Sequence, residues 1–179
     1  KNVADLKPGQ KILINGASGS LGTAAVQLAK HMGAEVTGVS STSNIDLVKS
    51  LGADHVIDYT KEDFTKQKEK YDIIYDTIGK SSFSKSKKAL KPGGAYITPV
   101  LKTETLMQMI RTSLGGNKKA KFSATGMLKE SELLELLNEL LVIIEKSKFK
   151  TIIDREYPLE QTAEAHIYIS KGHKKGNVI

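Results

Sequence analysis

The sequence predicts an α/β fold, a doubly wound parallel sheet of about six strands with helices on both faces. Three observations predict it. Short apolar runs alternate with stretches of helical period along most of the 179 residues. One run, Tyr71-Asp-Ile-Ile-Tyr-Asp-Thr-Ile78, is apolar almost throughout, as a central strand covered on both faces must be. The first run, Ile12 to Ile14, leads through a glycine-rich turn straight into Leu21, Ala24, Ala25, Leu28 and Met32 at helical spacing.

That turn, Gly16-Ala-Ser-Gly-Ser-Leu-Gly22, is the centre of the chain. Set against the spacing G-x-G-x-x-G, its key positions fall on Ala17, Gly19 and Gly22. Ala17 replaces the first glycine, Gly19 lets a ligand approach the backbone, and Gly22 lets the helix pack closely on the strand. Glycine-rich turns are common, but this one follows a strand and opens a helix. In that order, unpaired backbone N–H groups and the positive helix end face a dinucleotide pyrophosphate.

The remaining elements follow in order. Pro8 and Gly9 mark a turn into the first strand, and Gly33 closes the first helix. Glu35–Val39 is the second strand, Ile45–Leu51 a helix, and Gly52–Tyr59 a helix stop and short third strand. Lys61–Lys70 is a charged, exposed segment. The fourth strand ends in Asp76, Thr77 and Gly79; a helix follows over Ser82–Leu90, then a turn at Lys91-Pro-Gly-Gly94 and a fifth strand to Val100. A short helix through Met107 and Ile110 precedes an edge strand over Ala120–Gly126. Glu130–Lys146 is a long amphipathic helix with Ser131 as N-cap and Leu133, Leu136, Leu137, Leu140 and Ile144 as its core-facing stripe. Thr151–Tyr157 reads as a strand, Leu159–Ser170 as a helix, and Gly176–Ile179 as the start of a strand, as though the chain belonged to something longer.

The end of the second strand bears on cofactor choice. A carboxylate about twenty residues beyond the glycines would hold the ribose 2′-hydroxyl of NAD. This chain has Ser40-Ser-Thr-Ser-Asn44 instead, hydroxyls and an amide that welcome a 2′-phosphate and point to NADP(H). The same residues also suit the cap of the next helix.

Composition narrows the classes. There is no cysteine, which excludes disulfides, a thiolate nucleophile and a cysteine zinc site within these residues. His31, His55, His166 and His173 form no close ligand pair, and no metal site is expected. No run of about eighteen apolar residues exists, so no membrane helix is expected. The first residues lack a signal-peptide pattern, and the expected location is cytoplasmic. The net charge of +7 is uneven: residues 77–129 carry eleven Lys/Arg against Glu104 alone, a net +10. With only Phe83, Tyr96 and Phe122 as aromatics there, the segment reads as a solvated lysine surface, and nucleic acid as an unfavoured partner.

Lys7–Gly22, Gly52–Tyr59 and Lys91–Ile97 together resemble the medium-chain dehydrogenase/reductase superfamily, in its zinc-independent, quinone-oxidoreductase-like branch. The resemblance implies a Rossmann domain over residues 1–150 and a tail, 151–179, that returns to an N-terminal catalytic domain absent from this sequence. It implies NADPH, with the pyrophosphate on Ser18, Gly19, Ser20, Leu21 and Gly22. The 2′-phosphate would lie on Ser41 and Tyr59, with Asn44 beside it and Ser43 where many members carry a lysine or arginine. Thr77 and Val100 would approach the nicotinamide. Asn177 stands where members have a lysine after glycine. The implied reaction is hydride transfer to a quinone or an enone, with homodimerisation through the edge strand near 120–126. No tyrosine has a lysine four residues on, which argues against the short-chain dehydrogenases. The catalytic residues are unknown from this sequence. The alternative is a nucleotide-binding or interaction module without turnover of its own.

Overall fold

Six parallel strands form the sheet of the computed structural model, which describes residues 4–123, 128–146, 149–172 and 174–179. They are β1 (Lys11–Asn15), β2 (Glu35–Ser40), β3 (His55–Asp58), β4 (Tyr71–Asp76), β5 (Leu90–Thr98) and β6 (Lys119–Phe122). Their order is β3-β2-β1-β4-β5-β6. The chain winds outward from β1 in one direction, then starts again at β4 in the other, so a crevice opens at the C-terminal ends of β1 and β4.

The two faces follow from strand alternation. Ile12, Ile14, Val36 and Ile73 meet Val26, Ala29, Val48 and Leu51 from α1 (Ser20–His31) and the region of α2 (Ile45–Ser50). Leu13, Val39, Ile74 and Tyr96 point the other way, onto Phe64, Phe83, Ala120 and the flank of Met109. Phe83 opens α3 (Phe83–Ser86), and Met109 belongs to α4 (Thr103–Ser113). Deep burial raises the Tyr71 phenol to about 12, and its hydroxyl donates to Gln67 at 2.7 Å.

Several expectations change. The buried stripe of α1 runs through Gly22, Val26 and Ala29, leaving Leu21 exposed. A Cβ at Gly22 would collide with the Gly16 carbonyl oxygen, so Gly22 must face the turn, and this fixes the rotation of the helix. Phe64, in the charged 61–70 segment, is buried on a short 3-10 turn whose cap is the Asp63 side chain, accepting from Thr65 N–H at 2.9 Å. The expected helix over Ser82–Leu90 stops at Ser86, because Ala89 and Leu90 are drawn fully into the core. Leu90 pairs with Tyr71 and Ala95 with Ile73, so Lys91–Gly94 bulges out of a ladder rather than linking separate elements.

The C-terminal part holds α5 (Glu130–Lys146), β7 (Ile153–Arg155), α6 (Thr162–Ser170) and β8 (Asn177–Val178); β7 and β8 pair in parallel. The cap of α5 is Lys129 rather than Ser131: its carbonyl accepts from Leu133 N–H, and Glu132 reaches back to its N–H at 3.1 Å. The expected core stripe of α5 is not core. None of its residues is buried, and Leu133, Leu137 and Ile144 are exposed. Of the expected edge strand, 120–122 lies in β6, and 124–126 falls outside the described residues, as does His173.

Candidate functional site

A cleft of about 430 Å³ opens over the C-terminal ends of β1 to β4. Its floor is the glycine turn. Gly16, with φ +84°, takes the sharp left-handed step, and a Cβ there would come within 2.7 Å of Thr77 Oγ1. Gly19 differs. A Cβ there would meet nothing of this chain closer than 3.5 Å, so packing within the protein does not require a glycine. What its bare backbone leaves is room for something else to come close. Behind it, the first-turn N–H groups of α1 have no carbonyl within the helix to pair with.

The cleft brings together Ser18, Gly19, Ser41, Ser43, Asn44 and Tyr59 from the sequence reading. Ser41 and Ser43 hydroxyls lie 3.2 Å apart, and Tyr59 is exposed across from them. Asn44 is buried; its amide donates to Ser18 Oγ at 3.1 Å, while its Oδ1 has no partner. Such an orphan costs free energy unless a ligand or water completes it. The cleft does not reach Ser20, Leu21, Gly22, Thr77 or Val100. Ser20 Oγ donates to the Gly176 carbonyl at 2.7 Å. Thr77 Oγ1 donates to the Asn15 carbonyl at 2.8 Å. Val100 packs on Gly79, where an added Cβ would sit 2.9 Å from its Cβ.

Two carboxylates at strand ends set the loops, and sequence reading gave neither this role. Asp76 is fully buried and accepts from Asn15 Nδ2 (3.0 Å), Gly79 N–H (3.0 Å), Ser81 N–H (2.8 Å) and the Tyr96 hydroxyl (2.7 Å). It thereby shapes the 77–81 loop, from which Ile78, Lys80 and Ser81 line the cleft. Burial, and then the Asp76 charge, pushes the Tyr96 phenol far up, so it stays a donor. Asp58 accepts from Thr42 Oγ1 at 2.5 Å and from Thr60 Oγ1 at 2.7 Å and N–H at 3.0 Å. These bonds, that from Thr42 foremost, hold its carboxyl below the usual range. The sequence signal for both was an apolar strand ending in aspartate, Ile57-Asp58 and Tyr75-Asp76.

Charge around the cleft is mixed. Glu62 and Asp63 stand on one wall; Lys80, Lys85 and Lys174 supply cations. Elsewhere in the basic 77–129 segment, lysines serve the fold: Lys91 pairs with Asp72 at 2.7 Å and Lys119 donates to the Thr112 carbonyl at 2.6 Å. Among the described residues no group of three or more His, Asp or Glu could hold a metal ion, and no helix is long and apolar enough to cross a membrane.

Residues 51–179 match the family model described as zinc-binding dehydrogenase. The chain belongs to that family. Within the medium-chain dehydrogenase/reductase superfamily, this dehydrogenase-family chain sits with the quinone-oxidoreductase-like members. It is 36% identical over 185 residues to a zinc-type alcohol dehydrogenase-like protein of Schizosaccharomyces pombe, covering 97% of this chain and 52% of that protein. It is 31% identical to an NADPH-dependent alkenal/one oxidoreductase of Arabidopsis thaliana, covering 98% of this chain and 41% of that one. The solved quinone oxidoreductase of Coxiella burnetii superposes with a TM-score of 0.81 at 26% identity, over 98% of this chain and 53% of that one. The chain thus spans about half the length of the curated relatives it matches.

Proposed function

We propose that this chain is the nucleotide-binding part of an NADPH-dependent oxidoreductase that passes hydride to a quinone or an α,β-unsaturated carbonyl. The observation that carries the reading is the hydroxyl patch of Ser41, Ser43 and Tyr59 at the ends of β2 and β3. The nearby acid, Asp58, is tied down by Thr42 and Thr60. A ribose diol gains no free carboxylate there, and a 2′-phosphate gains donors. The NADPH-dependent relative supports the same choice.

The residues fit the nucleotide on two further counts. Gly19 leaves its backbone bare for a phosphate, and the orphaned Asn44 Oδ1 has an acceptor to offer a ligand hydroxyl. NADPH, when bound, supplies the hydride from its reduced nicotinamide. The turn from Ser18 to Gly22 holds the diphosphate. Ser41, Ser43 and Tyr59 hold the 2′-phosphate, with Asn44 beside them. Thr77 and Val100 stand toward the nicotinamide, on loops shaped by Asp76 and Gly79. In this reading residues 1–150 are the cofactor domain and 151–179 a tail that also meets the remaining, substrate-binding part of the protein. Two copies pair along β6, in the cytoplasm.

Titrating the chain with NADPH and NADH, followed by reduced-nicotinamide fluorescence, tests the reading. The expected result is NADPH at least about tenfold tighter, a preference lost in the Ser41→Ala/Tyr59→Phe double variant, because charge-assisted bonds of about 1.5–3 kcal/mol are removed. NADH binding as tightly as NADPH would overturn the assignment of the patch.

A further inference from the structure

The cofactor reading gives no use to the three lysines of the cleft, Lys80, Lys85 and Lys174, and the last of these is placed unlike the others. Lys174 comes from the far end of the chain, on a strap that crosses the glycine turn. Gly176 N–H donates to the Ser18 carbonyl at 2.8 Å, and Gly176 bridges to Gly19 as an isolated pair. The strap is fixed behind by Asn177, whose N–H donates to the Ile152 carbonyl at 2.7 Å, and by the pairing of β7 with β8. Gly176 itself, at φ +53°, is pressed so closely on Ile152 that a Cβ has no room.

This strap puts the Lys174 ammonium where the protein alone disfavours it. Its Nζ donates to Ser20 Oγ at 2.5 Å and to the Gly176 carbonyl at 2.6 Å. Ser20 is the first residue of α1, so the cation sits at the positive end of a twelve-residue helix, where a positive charge is repelled. Among the described residues no carboxylate forms an ion pair with it; Asp154 is the acid that acts on it, from a distance. Burial lowers its pKa. Of its three N–H donors, two are spent on Ser20 and Gly176, and the ammonium lines the cleft beside Ser18 and Gly19. The orphaned Asn44 Oδ1 in the same cleft is an independent sign that a ligand completes it.

We propose that Lys174 is a phosphate ligand delivered by the C-terminal strap, its ammonium closing over the diphosphate of the nucleotide on the glycine turn. The proposal rests on the NADPH reading. An anion at this point resolves both faults of the position, since it pairs with the ammonium and with the α1 N-terminus together. It also links the strap to the cofactor: an occupied cradle holds the tail down, and a docked tail completes the cradle.

The test uses this chain, its Lys174→Met and Lys174→Arg variants, and two probes. NADPH carries the diphosphate; adenosine 2′-monophosphate carries only the 2′-phosphate. Lys174→Met is expected to weaken NADPH about tenfold or more, the size of a lost charge-assisted contact, with Lys174→Arg restoring most of it. Adenosine 2′-monophosphate is expected to bind all three alike. Unchanged NADPH affinity in Lys174→Met would remove Lys174 from the site and leave the cofactor reading standing. An equal loss for both probes, or a loss that arginine does not rescue and that comes with a lowered melting temperature, would make the residue structural and overturn the proposal. Failure of the unaltered chain to bind NADPH would overturn the cofactor reading, and this one with it.

Discussion

In the sheet, Leu13, Ile14 and Ile74 are wholly buried, whereas in α5 Leu133, Leu134, Leu137, Leu141, Val142 and Ile144 are each more than a third exposed. Of the α5 residues, Leu133, Leu137 and Ile144 read from sequence as core, as the strand residues do. The difference lies in what surrounds them. The central strands β1 and β4 have strands on both edges and core on both faces, so their side chains are covered whichever way they point. Helix α5 has an apolar stripe that the described residues leave at most half-buried. Amphipathic spacing reports that a helix has an apolar face and is silent about what covers it. The same contrast marks α6, where Ile167 and Ile169 are exposed and no residue is buried. The cleft belongs to the sheet half, and among the described residues the tail reaches it through Gly172 and Lys174.

The comparison can be broken first at Asp76. Asp76→Ala strands the Tyr96 hydroxyl, Asn15 and two loop N–H groups, and is expected to cost about 4 kcal/mol in urea unfolding, as buried polar groups left unpaired do. A cost near zero would mean water replaces the carboxylate. Next comes a matched pair. Leu13→Ala in the wholly buried sheet core is expected to lose about 3 kcal/mol, and Leu137→Ala on the exposed face of α5 less than about 0.5 kcal/mol. Equal losses would mean that α5 is covered in solution, for which a second copy is the first suspect and sedimentation the check. The smallest effect is a pH dependence at Asp58. Its folded pKa is depressed, so its contribution is complete above the usual carboxylate pKa of about 4 and disappears as pH falls through the lower folded value. The gap in urea midpoint between the unaltered chain and Asp58→Asn is therefore expected to be full at pH 7 and to shrink as pH falls below about 4.

How much could be read in advance divides along the same line. The strands, the glycine turn, the αL glycine at position 33 and the hydroxyl patch were legible because each is local: a few adjacent residues dictate a backbone state or a face. The rotation of α1 was not, because Gly22 answers to the Gly16 carbonyl across the turn rather than to its own apolar neighbours. Asp58 and Asp76 were visible as strand-end acids, but their donors come from loops whose paths depend on them. Lys174 was invisible as a site residue. Its place is decided by a β7–β8 pairing that brings it back to Ser20, 154 positions earlier in sequence.

That last separation has a consequence for how the protein is made. Chains emerge from the ribosome N-terminus first, and contacts between distant positions form last. Strands β1 to β6 can be assembled while the strap is still being synthesised, so the sheet is in place before the cradle is closed. The nucleotide-binding turn is therefore translated well before the strap that finishes it. A chain that stops short of residue 174 carries strands β1 to β6 and an open turn, and on the Lys174 proposal it holds the nucleotide about tenfold more weakly.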